Sequence, residues 1–580
     1  PYTITANTVI MDGVTLTINA GVTVLFSQDV YLKALSGATL IAQGTEADSI
    51  YFTVTDINTV TNTEGIEFAS DAVKSTVQND TTYVSGSFFE YCNFENFSTN
   101  AEGGVFDIYE VDLLFSHCSF RNNSANGGGA VKHTECDVVF NNCEFQSNKG
   151  LYTIYTREVS INYYTGSDAG STRFYSCNVE NNSGGFYSAD NSGSNLYFDD
   201  VLVSNCSFSN NEGVLFDVHH YSIDDIILNN SVFTNHSDYI IRRFGDLGIN
   251  MEIIECLFKD NMEDLFYQID EGNMYQDYTG IIRNSSFINN SKAILIMELT
   301  TYPSTIDFFD YFELQENIFY SNGVNRNHII YSDMPATLTF NLFIDNLSDE
   351  SLLKGLLSGS SNAFISNNAD SLIEFFSGNT FTFDLENNFW GTKSSTVIDS
   401  LIYDFYDDPS FNTPLADYTP FLLAPPESLA GSPSSITSIS LKTDSTYQIS
   451  LTDNIDPGDT LHIELAGADT DSLSKGLAVA WVVNTMTQDT VIKTLIESSE
   501  TSGLFRGTVY TAVSTDNIND IIQGQDGQVL KVISRMNPNQ QATVIIGDTP
   551  LPILSNFTFT GEIDLMHTLN HTPAFVWSYY

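Results

Sequence analysis

Basic residues are scarce in this chain. Lysine and arginine together number 21 in 580 residues, against 73 aspartates and glutamates, for a formal net charge of -52. So little positive charge cannot grip a phosphate backbone or dock on anionic lipid, which excludes nucleic-acid and lipid-surface functions. Cysteine is also rare: seven residues, an odd number, do not make a disulfide scaffold. No apolar run approaches the roughly 20 residues of a membrane helix, so direct membrane insertion is not expected. The chain opens at Pro1 without a leader pattern and reads as processed or partial. Apolar residues make up 42% and aromatics 13%, so the acidity is not that of a disordered tail. The length allows two to four domains.

Internal repeats decide the architecture. CNFENF from Cys92 is followed by CSFRNN from Cys118, CEFQSN from Cys143, CNVENN from Cys177 and CSFSNN from Cys206. The pattern continues as SVFTNH from Ser231, CLFKDN from Cys256, SSFINN from Ser285, NIFYSN from Asn317, NLFIDN from Asn341 and NAFISN from Asn362. Starts recur with a period near 25 and variable insertions, the mark of a solenoid. In C-x-F the two apolar residues lie two apart and share one face of a strand. The Asn-Asn pair is turn chemistry, because Asn tolerates the left-handed region and its amide can bond along a stack. One short strand, one Asn turn and two further strands per period predict a right-handed parallel β-helix. About 15 coils at ~4.8 Å give a rod on the order of 70 Å. Phe94, Phe120, Phe145, Phe208, Phe233, Phe258, Phe287, Phe319 and Phe343 are expected to stack. Cys92, Cys118, Cys143, Cys177, Cys206 and Cys256 form a structural ladder in one column. A disulfide or metal ladder is one reading of that column. Side chains pointing the same way suit a stack of small buried thiols better.

Residues 14–26 alternate Val14, Leu16, Ile18, Val22, Val24 and Phe26, and are followed by Leu40-Ile41-Ala42, Gly44-Thr45 and Ile50-Tyr51-Phe52-Thr53. This opening resembles the first coils of bacterial secreted and cell-surface right-handed β-helix proteins. Asn387-Asn388-Phe389-Trp390-Gly391-Thr392, with Asp417-Tyr418-Thr419-Pro420-Phe421, is similar to the closing coil of that family. The resemblance spans residues 1–424 and is specific for fold, not activity.

Residues 425–436 read as a linker, from the Pro425-Pro426 pair through Gly431-Ser432-Pro433. Over residues 437–549 the Asn-Asn turns vanish and short alternating strands predict an immunoglobulin-like β-sandwich. Glu497 to Val509 resembles the E-T-x-x-x-T-G-x-F-x-G-T-I signature of immunoglobulin-like modules in large bacterial surface proteins. Residues 550–580 are similar to the start of a further fibronectin- or immunoglobulin-like module, or would serve as an assembly strand, and look cut off.

Carbohydrate-active enzymes occur on parallel β-helices, so a catalytic cluster is one expectation. Asp217, His219 and His220 in FDVHH, about one coil from Arg242-Arg243 and Asp246, form the best acid, His and base cluster. The simpler reading makes them turn residues on a solvated face. Asp453, Asp456 and Asp459, with Asp469 near, offer oxygen ligands for Ca²⁺, as do Asp404, Asp407 and Asp408. Twelve N-x-S/T sequons include Asn96, Asn122, Asn181 and Asn229, with Asn346 among the rest, as sites for surface glycosylation. Tyr163, Tyr164 and Tyr311 could stack on sugars.

The expectation is therefore an all-β extracellular structural or adhesive surface protein, a filament or surface-layer subunit. Its partners would be copies of itself, other surface proteins or glycans. The alternatives are a polysaccharide lyase or glycoside hydrolase on the side face, and a glycan-binding module without turnover.

Overall fold

A computed structural model describes residues 1–157, 170–190, 199–219, 223–244, 250–270, 279–299, 311–323, 327–376, 382–407, 414–427, 429, 431–452 and 454–547. The protein is a parallel β-helix. Each coil lays one strand on each of three faces: Cys92–Glu95, then Phe106–Tyr109, then Leu113–Ser116, after which Ser119–Arg121 pairs in parallel with the first. The face carrying the C-x-F strands is a ladder of 14 strands from Tyr2–Ile4 to Ala363–Ile365. The other two ladders merge into one sheet because Ile330–Thr339 and Ser351–Ser360 run straight through the corner. No helix among the described residues is long and apolar enough to cross a membrane.

Two one-residue corners define the C-x-F strand. The residue before the column enters the left-handed region in coil after coil, as at His117, Asn142, Asn205 and Asn230, with φ between 44° and 56°. The residue after the strand does the same, as at Asn96, Asn122, Asn181 and Asn289, with φ between 53° and 66°. Asn and Asp bear this conformation at the least cost among residues with a Cβ. The first asparagine of each N-N pair is therefore the corner, and the second turns inward.

That second asparagine builds the wall. Asn123, Asn148, Asn182 and Asn211 form one amide run; Asn261, Asn290, Asn322, Asn346 and Asn367 form another, with Nδ2 to Oδ1 distances of 2.9–3.1 Å. The other Nδ2 hydrogen goes to a main-chain carbonyl one coil back: Asn123 to Phe94 and Asn322 to Phe287, both 2.9 Å. Full satisfaction is what makes a buried amide tolerable.

Inside, Phe94, Phe120 and Phe145 stack at 5.0 and 4.9 Å between centroids, and Val179 interrupts the column. The stack then runs unbroken from Phe208 through Phe233, Phe258, Phe287, Phe319, Phe343 and Phe364 to Trp390, at 4.5–5.1 Å. The coil spacing suits offset ring stacking, so each pair adds ~0.5–1.5 kcal/mol beyond its buried area.

Residues 435–545 form an antiparallel sheet with its own core of Leu461, Ile463, Leu465, Ala480, Val482, Val491, Phe505, Val509 and Val532. Strand order is Ser435–Lys442, Thr460–Ala468, Leu504–Ala512, Thr490–Glu497, Leu477–Asn484, Val529–Ser534, Gln541–Ile545, with Ile521–Gln523 joined in parallel to Leu504–Ala512. Glu497 is buried because its carboxylate ties two turns, accepting from Gly503 N at 2.7 Å and Gly476 N at 2.9 Å.

This sheet lies against the flank of the last coils. In the early coils the outward positions of the C-x-F strands are polar: Asn93, Glu95, Ser119, Arg121, Glu144. From Ile288 they become apolar: Ile318, Tyr320, Leu342, Ile344, Ala363 and Ile365 pack on Leu429, Leu477, Leu473 and Ile496. Polar ties surround the contact: Tyr320 to Glu500 at 2.6 Å, Lys475 to Asp345 at 2.9 Å and Lys393 to Asp520 at 2.5 Å. In the stretch expected as a linker, Leu429 is buried in this contact and a strand already begins at Ser435.

His236 occupies an asparagine position between Asn211 and Asn261, and Asn261 Oδ1 accepts its backbone N–H at 3.0 Å. Burial lowers its pKa to about 4, and does the same to His133. Both values lie below the ordinary 6.5. The unfolded chain therefore binds these protons first on acidification. The stability the two rings contribute is complete above about pH 6.5 and is lost as pH falls towards 4, by roughly 3 kcal/mol each. His236→Asn, which extends the amide run, should remove the His236 half of that loss in urea titrations between pH 7 and pH 4 and leave the His133 half. Asn322→Ala should cost about 3–5 kcal/mol, because it orphans the Phe287 carbonyl and the Asn290 and Asn346 amides. Asn322→Asp, although isosteric, should cost at least as much, because it faces two acceptors with no donor.

Candidate functional site

The chain places Asp217 and Arg242 directly opposite each other on adjacent strands, Phe216–His219 and Ile241–Phe244. Asp217 is wholly buried and its two oxygens accept from Arg242 Nε at 3.0 Å and Nη2 at 2.7 Å. The Tyr152 hydroxyl donates to the same carboxylate at 2.5 Å, and the guanidinium lies 5.9 Å over the Tyr239 ring. Burial first, and then the bond to Asp217, push the Tyr152 phenol well above its usual range; the bond to Asp217 raises Arg242 further. Asp217 is thus a strand carboxylate inside the wall, held by three hydrogen bonds, and not a turn residue on a solvated face. His219 pairs by its backbone with Phe244; its side chain, with His220 and Asp246, lies outside the described residues.

The seven cysteines are all buried and lie outside any disulfide. Cys118 donates to Ser116 O at 3.4 Å and Phe89 O at 3.5 Å, and Cys206 Sγ accepts from Cys177 N at 3.3 Å. Farther along, Ser231 Oγ accepts from Cys206 N at 3.0 Å, and Asn317 Oδ1 accepts from Ser285 N at 2.9 Å. Thiol, hydroxyl and amide thus fill one column with one bonding scheme. Burial pushes the Cys118, Cys143 and Cys177 thiols far above their ordinary range and Cys256 up to about 12, so none is a ready nucleophile.

Asp456 and Asp459 close an exposed turn, Asp459 N donating to Asp456 O at 3.0 Å, and Asp453 lies outside the described residues. Asp404 is buried and braces a turn, accepting from Tyr406 N at 2.8 Å and Ala416 N at 3.0 Å, while Asp408 lies outside the described residues. Sequon asparagines divide by corner. Asn122 and Asn181 are exposed, Asn96 and Asn229 are half-buried, and Asn346 is sealed in the amide run. Tyr163, Tyr164 and the Tyr311 side chain lie outside the described residues.

Among the described residues, one group of three His, Cys, Asp or Glu side chains brings its donor atoms together: His328, Glu350 and Glu374, all within 4.8 Å of one another. They come from three successive coils, just before Ile330–Thr339, just before Ser351–Ser360, and at the end of Ser371–Glu374. The ring of His328 is nine-tenths buried and is held through Nδ1, 3.1 Å from Ser351 O and 2.8 Å from Ser351 Oγ. Its Nε2 faces Glu350 Oε2 at 3.8 Å. Burial lowers the His328 pKa, so the ring is neutral at pH 7. Glu350 Oε1 accepts from Asn327 Nδ2 at 2.6 Å, and Glu374 Oε1 pairs with Lys354 at 2.6 Å. Beside them opens a cleft of about 360 Å³ lined by Glu350, Asp370, Glu374, Tyr403 and Asp407. Sequence reading missed this group because its members share no motif. Their spacings of 22 and 24 residues, each close to one coil, were the available signal.

The chain matches no family model, and no curated protein matches it.

Asp217→Asn should destabilise the fold by about 3–5 kcal/mol in chemical denaturation, because it leaves a partly buried guanidinium facing a neutral amide. The apolar pair Asp217→Leu with Arg242→Met should recover most of that loss. A catalytic carboxylate would show the reverse, with stability kept and turnover lost.

Proposed function

We propose that the chain is an extracellular structural or adhesive surface protein, with the β-helix as its rod. Its partners are copies of itself, other surface proteins or glycans. The observation that carries this reading is the continuity of the stack: amide, aromatic and thiol columns pass from coil to coil with little interruption, which suits a part whose job is to hold a shape over a distance. The heavily acidic exterior supports an outside location, where divalent cations screen self-repulsion. The opening and closing coils resemble those of bacterial surface β-helix proteins, and the Glu497–Val509 segment resembles an immunoglobulin-like module of such proteins. A polysaccharide lyase or hydrolase is the second reading. The acidic cleft lined by Glu350, Asp370, Glu374 and Asp407 supports it, because it offers carboxylates beside solvent.

Electron microscopy of the native material in millimolar Ca²⁺ tests the proposal. Ordered fibres or surface arrays that come apart under a chelator are expected. Lone particles under every condition, or release of oligosaccharide from an acidic polysaccharide, would overturn it.

A further inference from the structure

We propose that His328, Glu350 and Glu374 form a binding site for a transition-type divalent cation, with Zn²⁺ as the fitting ion, and that the ion pins three successive coils of the β-helix together. Three observations converge on this. The donor atoms already lie within 4.8 Å of one another, close enough for one ion to draw them in. The imidazole is fixed by its inner nitrogen: in the tautomer that donates Nδ1–H to the Ser351 carbonyl oxygen at 3.1 Å, the lone pair sits on Nε2, which faces Glu350 Oε2 at 3.8 Å. A metal-ligating histidine is commonly held through its other nitrogen in this way. Each carboxylate also has one oxygen tied back, Glu350 to Asn327 and Glu374 to Lys354, leaving its second oxygen for the centre.

The donor set selects the ion. One imidazole and two carboxylates suit zinc and its neighbours, whereas Ca²⁺ prefers six to eight oxygens. Among the described residues Lys354 alone forms a Lys or Arg ion pair with the two glutamates, and Asp370 and Asp407 line the same cleft. Bare, the group therefore suffers like-charge repulsion that a dication relieves. Three protein ligands leave a coordination position for water on the cleft side. The site does not depend on the surface role proposed above.

The full chain, stripped with a chelator and returned to buffer with millimolar Ca²⁺ to occupy scattered carboxylates, would be titrated with Zn²⁺ by calorimetry. One tight equivalent is expected, together with a rise in Tm. Glu350→Gln, at an exposed position that the fold does not need, should weaken that equivalent at least tenfold and abolish the rise in Tm. His328→Gln should do the same, and Asp456→Asn should change neither. Equal Zn²⁺ uptake by wild type, Glu350→Gln and His328→Gln would overturn the assignment, as would uptake without a rise in Tm or no tight equivalent at all.

Discussion

A buried asparagine amide has two donors and an acceptor to satisfy, and in the wall of this solenoid only its own kind above and below can complete the set. That requirement governs the rest. The amides meet only if successive coils stay in register, and the register in turn brings the phenylalanines to ring-stacking distance. It also fixes the corners, because a four-residue C-x-F-x segment between two left-handed residues returns each side chain to the same column. Thiol, hydroxyl and amide exchange freely in the Cys92 column because each accepts a main-chain N–H from the neighbouring coil. His236 is the departure: its ring takes an amide's place without an amide's pair of donors, and a depressed pKa is the consequence.

Outside, the governing quantity is charge. With 73 acids and 21 bases, like-charge repulsion between stacked coils opposes the stacking that the interior enforces. Several of the few bases stand where they lessen it. Lys33 meets Glu67, Arg121 meets Glu144 and Lys354 meets Glu374, each pair bridging neighbouring coils. Such pairs are individually weak in water, but each places a positive charge beside a carboxylate of the adjoining coil. Lys393 and Lys475 do a different task, tying the C-terminal sheet to the flank of the rod. Their positions frame the apolar strip from Ile288 to Ile365, so the contact is greasy at its centre and ionic at its rim, as protein interfaces generally are.

The two polar clusters show how a repeat fold assigns chemistry. Asp217 and Arg242 stand in register on neighbouring strands and neutralise each other inside the wall. His328, Glu350 and Glu374 also come from neighbouring coils, but they gather at the mouth of a cleft, where their outer atoms remain open. A carboxylate thus serves as a brace in one place and as part of a ligand set in another. Burial and the partners on the next coil make the difference.

The sequence by itself determined the fold class, because a β-helix is a local rule applied again and again: C-x-F sets the inward face, N-N sets the corner, and the period sets the coil. The aromatic column could be read residue by residue, since same-face spacing and repeat alignment are both present in the string. Tertiary structure alone decided which asparagine of each pair is buried, that Asp217 is closed to solvent, and that the sheet after residue 435 lies on the side of the rod. These depend on what the adjacent coil or the distant sheet presents at that point. The apolar turn of the outward positions from Ile288 onward was in the sequence all along. It acquires its meaning only when Leu477 and Ile496, more than a hundred residues later, arrive to cover it.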